Sequence, residues 1–446
     1  MTPVRTRPAP PVRIVHVGLG AFSRAHTAWY TARAEDASEW GISAYAGRSS
    51  DLADALTAQD GVYTLVVRDE DGDHIEQIES IVRAHPGADV AQLVEEIAAS
   101  TTAIVTLTIT EAGYRTTMAG EIDRDDPLVA ADLERLARLD AAPSLATLRP
   151  ATALGRILLG LELRRRRDGR PVAIVSCDNL PDNGGHLRRG LSALASETSP
   201  TTARWIDENV SFVSTSIDRI TPRVSADELR RLSDEYGDRV PVVTEPFHDW
   251  VIAGEFPAGR PKWESAGARF TDDLEPWEVR KLWLLNGAHT LLACLGPLRG
   301  HATVYEAISD PECREAVDAY WDEAARHLPA ELGIPAYRAA LVDRFSRRRI
   351  VHHLAQIALD TATKLRVRIV PVAKRERQAG RTATGCAAVF AAWIASQTDV
   401  VGRDGMRSAV APISERLAAD DGFLDQIERA TERLRKEGIT HDHRKG

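Results

Sequence analysis

One stretch of the chain gathers four kinds of chemical handle within three helical turns: Glu278, Lys281, Asn286 and His289, spread among Leu282, Trp283, Leu284, Leu285, Leu291 and Leu292. On an α-helix at about 100° per residue, Lys281 at zero puts Glu278 at about 60°, His289 at about 80° and Asn286 at about 140°. The four polar groups then share one side of an apolar helix. A lysine partly withdrawn from water has its pKa lowered, because desolvation disfavours the charged form, and can act as a general base near neutral pH. Asn286 can hold a substrate oxygen and His289 a neighbouring hydroxyl. The plain alternative is a surface helix with a mixed polar face.

A second polar group follows an apolar run: Ser176-Cys-Asp178-Asn179-Leu-Pro-Asp182-Asn183-Gly184. The amides of its two asparagines can donate to a sugar hydroxyl or a developing alkoxide, or simply shape an Asx-turn. The third is Gly18-x-Gly20-x-x-Ser23, where a glycine pair after a β-branched run lets the backbone approach a pyrophosphate at a helix start. The usual third glycine is replaced by Ser23. Asp51, after the next strand, is placed to accept from ribose hydroxyls and favours NAD; Arg48, Ser49 and Ser50 beside it leave NADP open. Thr106, Thr108 and Thr110 end another strand where a doubly wound sheet keeps its ligand crevice.

The elements that must position these groups change character along the chain. Strands are expected at Val12–Gly18, Ile42–Gly47, Thr64–Arg68, Ala103–Thr108, Val172–Ser176 and Val240–Thr244. Helices at Arg24–Ala34, Asp89–Ala99 and Ala151–Arg167 alternate with them. That order predicts an α/β, Rossmann-type domain with a mostly parallel sheet. Beyond about residue 272, helices are expected at Glu275–Cys294, Ala302–Ser309, Glu312–His327, Ala336–Lys364 and Gly385–Gln397. The organisation expected is a flexible tail over 1–11, a dinucleotide-binding domain over 12–271 and a mainly α-helical substrate-binding domain over 272–446. The Arg164–Arg167 run reads as a solvated helix end, Arg347–Arg349 as a solvated first turn, and His441 and His443 as part of a disordered terminus.

Composition limits the alternatives. The chain has 446 residues, 43% hydrophobic and 27% charged, which at roughly 150 residues per domain allows two or three domains. A formal charge of -9 argues against a nucleic-acid partner. Four cysteines (Cys177, Cys294, Cys313, Cys386) without a CxxC pair or tight His/Cys cluster argue against a disulfide scaffold or a zinc site. No segment nears the roughly 18 apolar residues of a membrane span, and no signal peptide is visible, so a cytoplasmic enzyme is expected.

Taken together, Gly18-Leu-Gly-Ala-Phe-Ser-Arg-Ala-His26, Thr108-Ile-Thr-Glu111, Ser176-Cys-Asp-Asn-Leu-Pro181, Asp218-Arg-Ile-Thr-Pro222 and Glu245-Pro-Phe247 resemble one family. So do Gly259-Arg-Pro-x-Trp263-Glu264, Lys281-(x)4-Asn286-Gly-x-His289 and Asp343-Arg-Phe345. The chain resembles the polyol-specific long-chain dehydrogenases, the group of mannitol 2-dehydrogenase and fructuronate reductase, from Val12 to beyond residue 430. The resemblance implies a metal-free NAD(P)-dependent oxidoreductase acting on a sugar alcohol or aldonate, commonly a monomer. It makes Lys281 the general base, Asn179 and Asn286 the oxyanion hole, His289 a substrate ligand and Glu278 the link to solvent protons. It gives Gly18, Gly20, Ala21, Phe22, Asp51 and Thr108 to the coenzyme, and Asp218 and Lys364 to the substrate side, where Arg347, which is not part of the family pattern, would add a charge.

Three departures bear on the substrate. Ser23 stands where the family often has histidine, Gln356 where mannitol 2-dehydrogenases have a substrate-contacting arginine, and Arg347 where an asparagine is usual. A uronate or phosphate would want a fixed cation such as Arg347, Arg348 or Lys364. D-Mannitol oxidation to D-fructose is the first expectation. D-Mannonate and mannitol 1-phosphate are the alternative substrates, and an inactive cofactor-binding sensor or a zinc-dependent alcohol dehydrogenase the alternatives of another kind.

Overall fold

The computed structural model describes residues 3–436 apart from 48, 118, 138, 143, 398, 399 and 401. Two compact units divide the chain, Met1–Leu274 and Glu275–Gly446. Arg48 and the His441 and His443 tail lie outside the described residues.

Among those residues the first unit has eleven strands: β1 Val12–Leu19, β2 Gly41–Ala46, β3 Tyr63–Arg68, β4 Asp73–Ile78, β5 Ile81–His85, β6 Ile104–Leu107, β7 Val172–Ser176, β8 Val210–Asp218, β9 Val242–Thr244, β10 Asp249–Ala253 and β11 Arg269–Phe270. Eight form one sheet in the order β11-β10-β8-β7-β6-β1-β2-β5. All its neighbours run parallel except β8 and β10. Side chains alternate across a strand, so a sheet covered on both faces needs apolar residues at nearly every position. Ile14, Ile104, Ala173 and Val175 face a core with Trp29, Tyr30, Trp250 and Trp263. Val15, Val105, Val172 and Ile174 face another with Leu93, Ile97, Leu158 and Leu191.

Two expected strands lie elsewhere. β3 and β9 pair with each other, and β3 with β4, in a separate three-stranded sheet. β4 and β8 escaped sequence reading because Asp73, His74, Glu76 and Gln77, or Ser211, Ser214 and Ser216, interrupt their apolar pattern.

The segment before β1, expected to be a flexible tail, is tied down by Arg5. Its guanidinium donates to the carbonyls of Glu79 (2.5 Å), Asp60 (2.6 Å) and Ile81 (2.9 Å). Prolines give no N–H for a strand ladder, and a side chain does that work instead.

The expected solvated end of Ala153–Arg167 is also corrected. Arg164 is fully buried and donates to the carbonyls of Ile97, Ala99, Thr102, Arg170 and Pro171 at 2.7–3.2 Å. Arg165 and Arg166 pair with the buried Glu162. Orphan carbonyls at the end of a helix need donors, and one guanidinium supplies several.

The second unit is helical. The helix expected over Ala336–Lys364 instead ends at Phe345, and short helices follow at Leu354–Ile357 and Thr361–Lys364. Residues 352–354 pair with 302–304, through Val304 N to His352 O (3.0 Å) and Leu354 N to Ala302 O (2.9 Å). That pairing takes the backbone groups a continuous helix would have used. No described helix is long and apolar enough to cross a membrane.

Candidate active site

At the glycine turn, β1 runs directly into two short helices, Ala21–Ala25 and Thr27–Arg33, broken at His26. Gly18 has φ +106°, and a Cβ there would lie 2.2 Å from the Thr108 carbonyl oxygen. Only glycine lets the end of β6 approach so closely. Above Gly20 the space is open, its would-be Cβ meeting only the Gly18 carbonyl at 3.7 Å. A cradle of bare backbone is what a pyrophosphate needs, and the turn fits a dinucleotide in that respect.

Ser23, in the place of the third glycine, caps this turn. Its Oγ accepts from Gly20 N (3.0 Å) and donates to Gly20 O (3.2 Å). The break at His26 frees two carbonyls. Tyr63 Oη donates to that of Arg24 (2.7 Å) and Arg219 Nη1 to that of Ala25 (2.6 Å). Phe22 stacks on His26 with ring centroids 5.0 Å apart. Ala21 opens the first helix, and Asp51 is exposed at the start of the helix Asp51–Thr57.

The carboxyl edge of β6 is a polar network. Thr108 Oγ1 donates to Gly18 O (2.8 Å) and lies 3.1 Å from His16 Nε2, while His16 Nδ1 is 2.8 Å from Thr106 Oγ1. Burial pushes the His16 pKa down to about 4, so the ring is neutral. Next in the chain, Thr110 sits at φ +64°, ψ +163°, a backbone region normally reserved for glycine.

Asp178, buried at the end of β7, holds this edge in place. It accepts from the N–H groups of Thr110 (2.7 Å) and Ile109 (3.2 Å) and from Tyr114 Oη (2.8 Å). Burial raises its pKa, against the pull of those hydrogen bonds. Of the two asparagines that follow, Asn179 is exposed and Asn183 is fully buried. The Asn183 amide is spent on the carbonyls of Asp178 (2.8 Å) and Thr215 (2.7 Å), so it joins β8 to this turn and has no hydrogen to offer a substrate. Asp218 is buried at the end of β8.

The lysine segment is not one α-helix. Glu275–Arg280 is α-helical, Lys281–Asn286 is a π-turn, and Gly287–Leu298 is α-helical again. Gly287 N–H reaches back five residues to Leu282 O. The increments of 100° therefore fail across this stretch, and the expected angles do not hold. Lys281, Glu278 and Asn286 are all half-buried on consecutive turns.

His289 is 8% exposed, and its ring packs between Phe345 (4.8 Å between centroids) and His352 (5.1 Å). Burial, then the neighbouring His352, Arg344 and Arg368, hold its pKa well below the usual histidine value. Among the described residues its Nε2 meets no hydrogen-bond partner. An imidazole nitrogen buried without a partner costs about 1–3 kcal/mol, a cost that a bound hydroxyl would remove.

Of the three residues expected to add charge to the substrate side, Arg348 is exposed and the other two have partners within their own unit. Arg347 pairs with Asp343 at 2.6 Å. Lys364 Nζ donates to Ile357 O (2.8 Å) and to Leu359 O, closing the end of the short helix Leu354–Ile357. Gln356 is exposed. Although no His/Cys cluster is visible in the sequence, the fold brings His301, Asp310 and Cys313 together. There Asp310 caps the helix Pro311–Ala325 and accepts from Arg299 Nε (2.8 Å), so a guanidinium already supplies the positive charge.

Comparison with known proteins agrees with this architecture. Residues 12–265 match the mannitol dehydrogenase Rossmann domain and residues 273–432 the mannitol dehydrogenase C-terminal domain. The chain is 35% identical to D-mannonate oxidoreductase of Escherichia coli strain K12 over 395 residues, 86% of this chain and 79% of that protein. It is 34% identical to mannitol 2-dehydrogenase of Cereibacter sphaeroides over 391 residues, 85% of this chain and 80% of that one. The structure of Pseudomonas fluorescens mannitol 2-dehydrogenase in ternary complex with NAD and D-mannitol superposes with a TM-score of 0.78 at 32% identity, covering 98% of this chain and 94% of the other. With its two domains and its family motifs all matched, the chain belongs to the mannitol dehydrogenase family of NAD(P)-dependent polyol oxidoreductases.

Proposed function

We propose that the protein oxidises a secondary hydroxyl of an open-chain sugar alcohol to a ketone with NAD, D-mannitol to D-fructose first. The observation that carries this reading is the buried, neutral His289 with an unpartnered Nε2, two turns beyond Lys281 on the same helical run. Nε2 suits a neutral hydroxyl. Lys281 takes the proton of the reacting hydroxyl. Asn286 gives an amide hydrogen to the oxygen as it gains charge, the role the family resemblance extends to Asn179. Glu278, three residues before Lys281, passes the proton on to solvent. The bound coenzyme supplies the hydride acceptor. Gly18 and Gly20 offer it bare backbone, with Ala21, Phe22 and Thr108 lining the same turn, and Asp51 accepts from the ribose hydroxyls. No metal is required, because the lysine does the work of activating the hydroxyl.

The engagement of Arg347 with Asp343, and of Lys364 with two carbonyls, supports a neutral substrate over a charged one. D-Mannonate is the second reading, favoured by the 35% identity to a D-mannonate oxidoreductase over 86% of the chain. NADH formation at mildly alkaline pH with mannitol, arabinitol, sorbitol, mannonate and mannitol 1-phosphate, repeated with NADP, separates the two. Highest kcat/KM on a neutral polyol supports the first reading. Highest kcat/KM on mannonate replaces it with the second, and inertness toward all five removes both.

A further inference from the structure

We propose that Arg368 is a positioning residue that holds the π-turn of the lysine segment in its working geometry, an inference that rests on the lysine-base reading above. Among its described residues the second unit has two π-turns, Lys281–Asn286 and Leu365–Ile369, which pack against each other. The second has a local cause. Pro371 lacks an N–H and its ring crowds the carbonyl four residues back, so the helix must open before it. The first has no proline, and what holds it open comes from other helices.

Where the first turn gives way to α-helix, two carbonyls accept from side chains distant in sequence. Trp321 Nε1 donates to Leu284 O at 2.8 Å, and Arg368 Nη1 to Asn286 O at 3.1 Å. The same Nη1 lies 3.0 Å from Thr290 Oγ1, which itself donates to Asn286 O at 3.0 Å. Arg368 is also fixed from behind, its carbonyl accepting from Tyr320 Oη at 3.2 Å. Tyr320 is fully buried and presses on Gly287, where a Cβ would lie 2.3 Å from its Oη.

The guanidinium thus bridges the two π-turns at the residue that offers an amide to the substrate. Arginine suits the task, since it stays charged and the two hydrogens of one guanidinium nitrogen meet two acceptors in a fixed planar geometry. Arg366, in the same turn, points to Pro412 O at 2.8 Å and is exposed, which makes it the natural control.

The test uses the full chain carrying Arg368→Ala, Arg368→Lys or Arg366→Ala. For Arg368→Ala we expect kcat on the preferred polyol to fall about 100-fold, as a displacement near 1 Å does. The KM for NAD should change less than about twofold. Arg368→Lys should recover part of kcat, and Arg366→Ala should match the unaltered chain. A second readout needs no turnover. Amide hydrogen exchange over 282–290 should quicken at least about tenfold in Arg368→Ala, with Thr384–Ala395 unchanged. Unaltered exchange over 282–290 overturns the proposal. So does a kcat loss accompanied by an equal loss of coenzyme affinity. If the unaltered chain turns over none of the substrates, the lysine-base reading fails and the exchange comparison alone decides the role of Arg368. If Arg368→Ala does not fold, Arg368→Lys carries the same two readouts.

Discussion

The glycine turn of the first unit and the π-turn of the second are both departures from regular structure, but they are held in opposite ways. At Gly18–Ser23 the turn itself is made locally, by a glycine at φ +106° and a serine capping a residue three positions away, and the distant Thr108 hydroxyl, 90 residues on, docks onto Gly18 O. At Lys281–Asn286 the supporting donors are Trp321 and Arg368, separated from their acceptors by 37 and 82 residues. A binding surface made of backbone can be specified locally. A surface of side chains presented from an opened helical turn draws on packing from elsewhere in its unit, here Trp321 and Arg368.

The sharpest way to break the comparison is a pair of glycine substitutions. Gly18→Ala puts a Cβ against the Thr108 carbonyl, and Gly287→Ala puts one against the Tyr320 hydroxyl. Each is expected to cost about 3 kcal/mol in urea unfolding, because neither neighbour can retreat. Their functional effects should diverge. Gly18→Ala should weaken NADH binding, followed by fluorescence titration, by at least about tenfold. Gly287→Ala should leave it intact and depress kcat. Equal effects on both readouts would dissolve the distinction between the two turns.

Acid should act on the first unit through neutral histidines. The pKa values of His16 and His248 are both pushed down to about 4, chiefly by burial. At pH 7 these rings are neutral folded and unfolded alike. Below about 6.5 the unfolded chain takes up protons that the folded one refuses, so stability falls as pH drops toward 4. The slope should be about 1.4 kcal/mol per pH unit for each ring. Urea unfolding at pH 7, 6 and 5 checks it, and a flat or rising stability would show that the rings are not held neutral. The smallest effect expected is at the cap: Ser23→Ala should cost about 1 kcal/mol, measured by the same unfolding, with kcat unaltered.

The sequence made the first region readable because its signals are local. A β-branched run, a glycine pair and a return to helix share one short window, and the apolar runs of β1, β6 and β7 announce a covered parallel sheet. The roles of Ser23, Asp178 and Arg164 were harder to see, since a serine, an aspartate and an arginine look solvated until the fold supplies their partners. Ser23 at the position of a missing glycine was still a usable sign, being a good cap. The π-turn could not be read from periodicity at all. Nothing between Lys281 and Asn286 differs from an ordinary amphipathic helix, and its cause sits in Trp321 and Arg368. The same holds for His289, whose burial and unpartnered Nε2 depend on Phe345 and His352 packing against it.

The measurement that bears most directly on the account is the turnover of Lys281→Ala with the preferred polyol, set beside its affinity for NADH. A general base worth its position predicts a fall in kcat of about 10³-fold with coenzyme binding unchanged. A variant that keeps kcat within tenfold of the unaltered chain would contradict the claim that this lysine moves the proton.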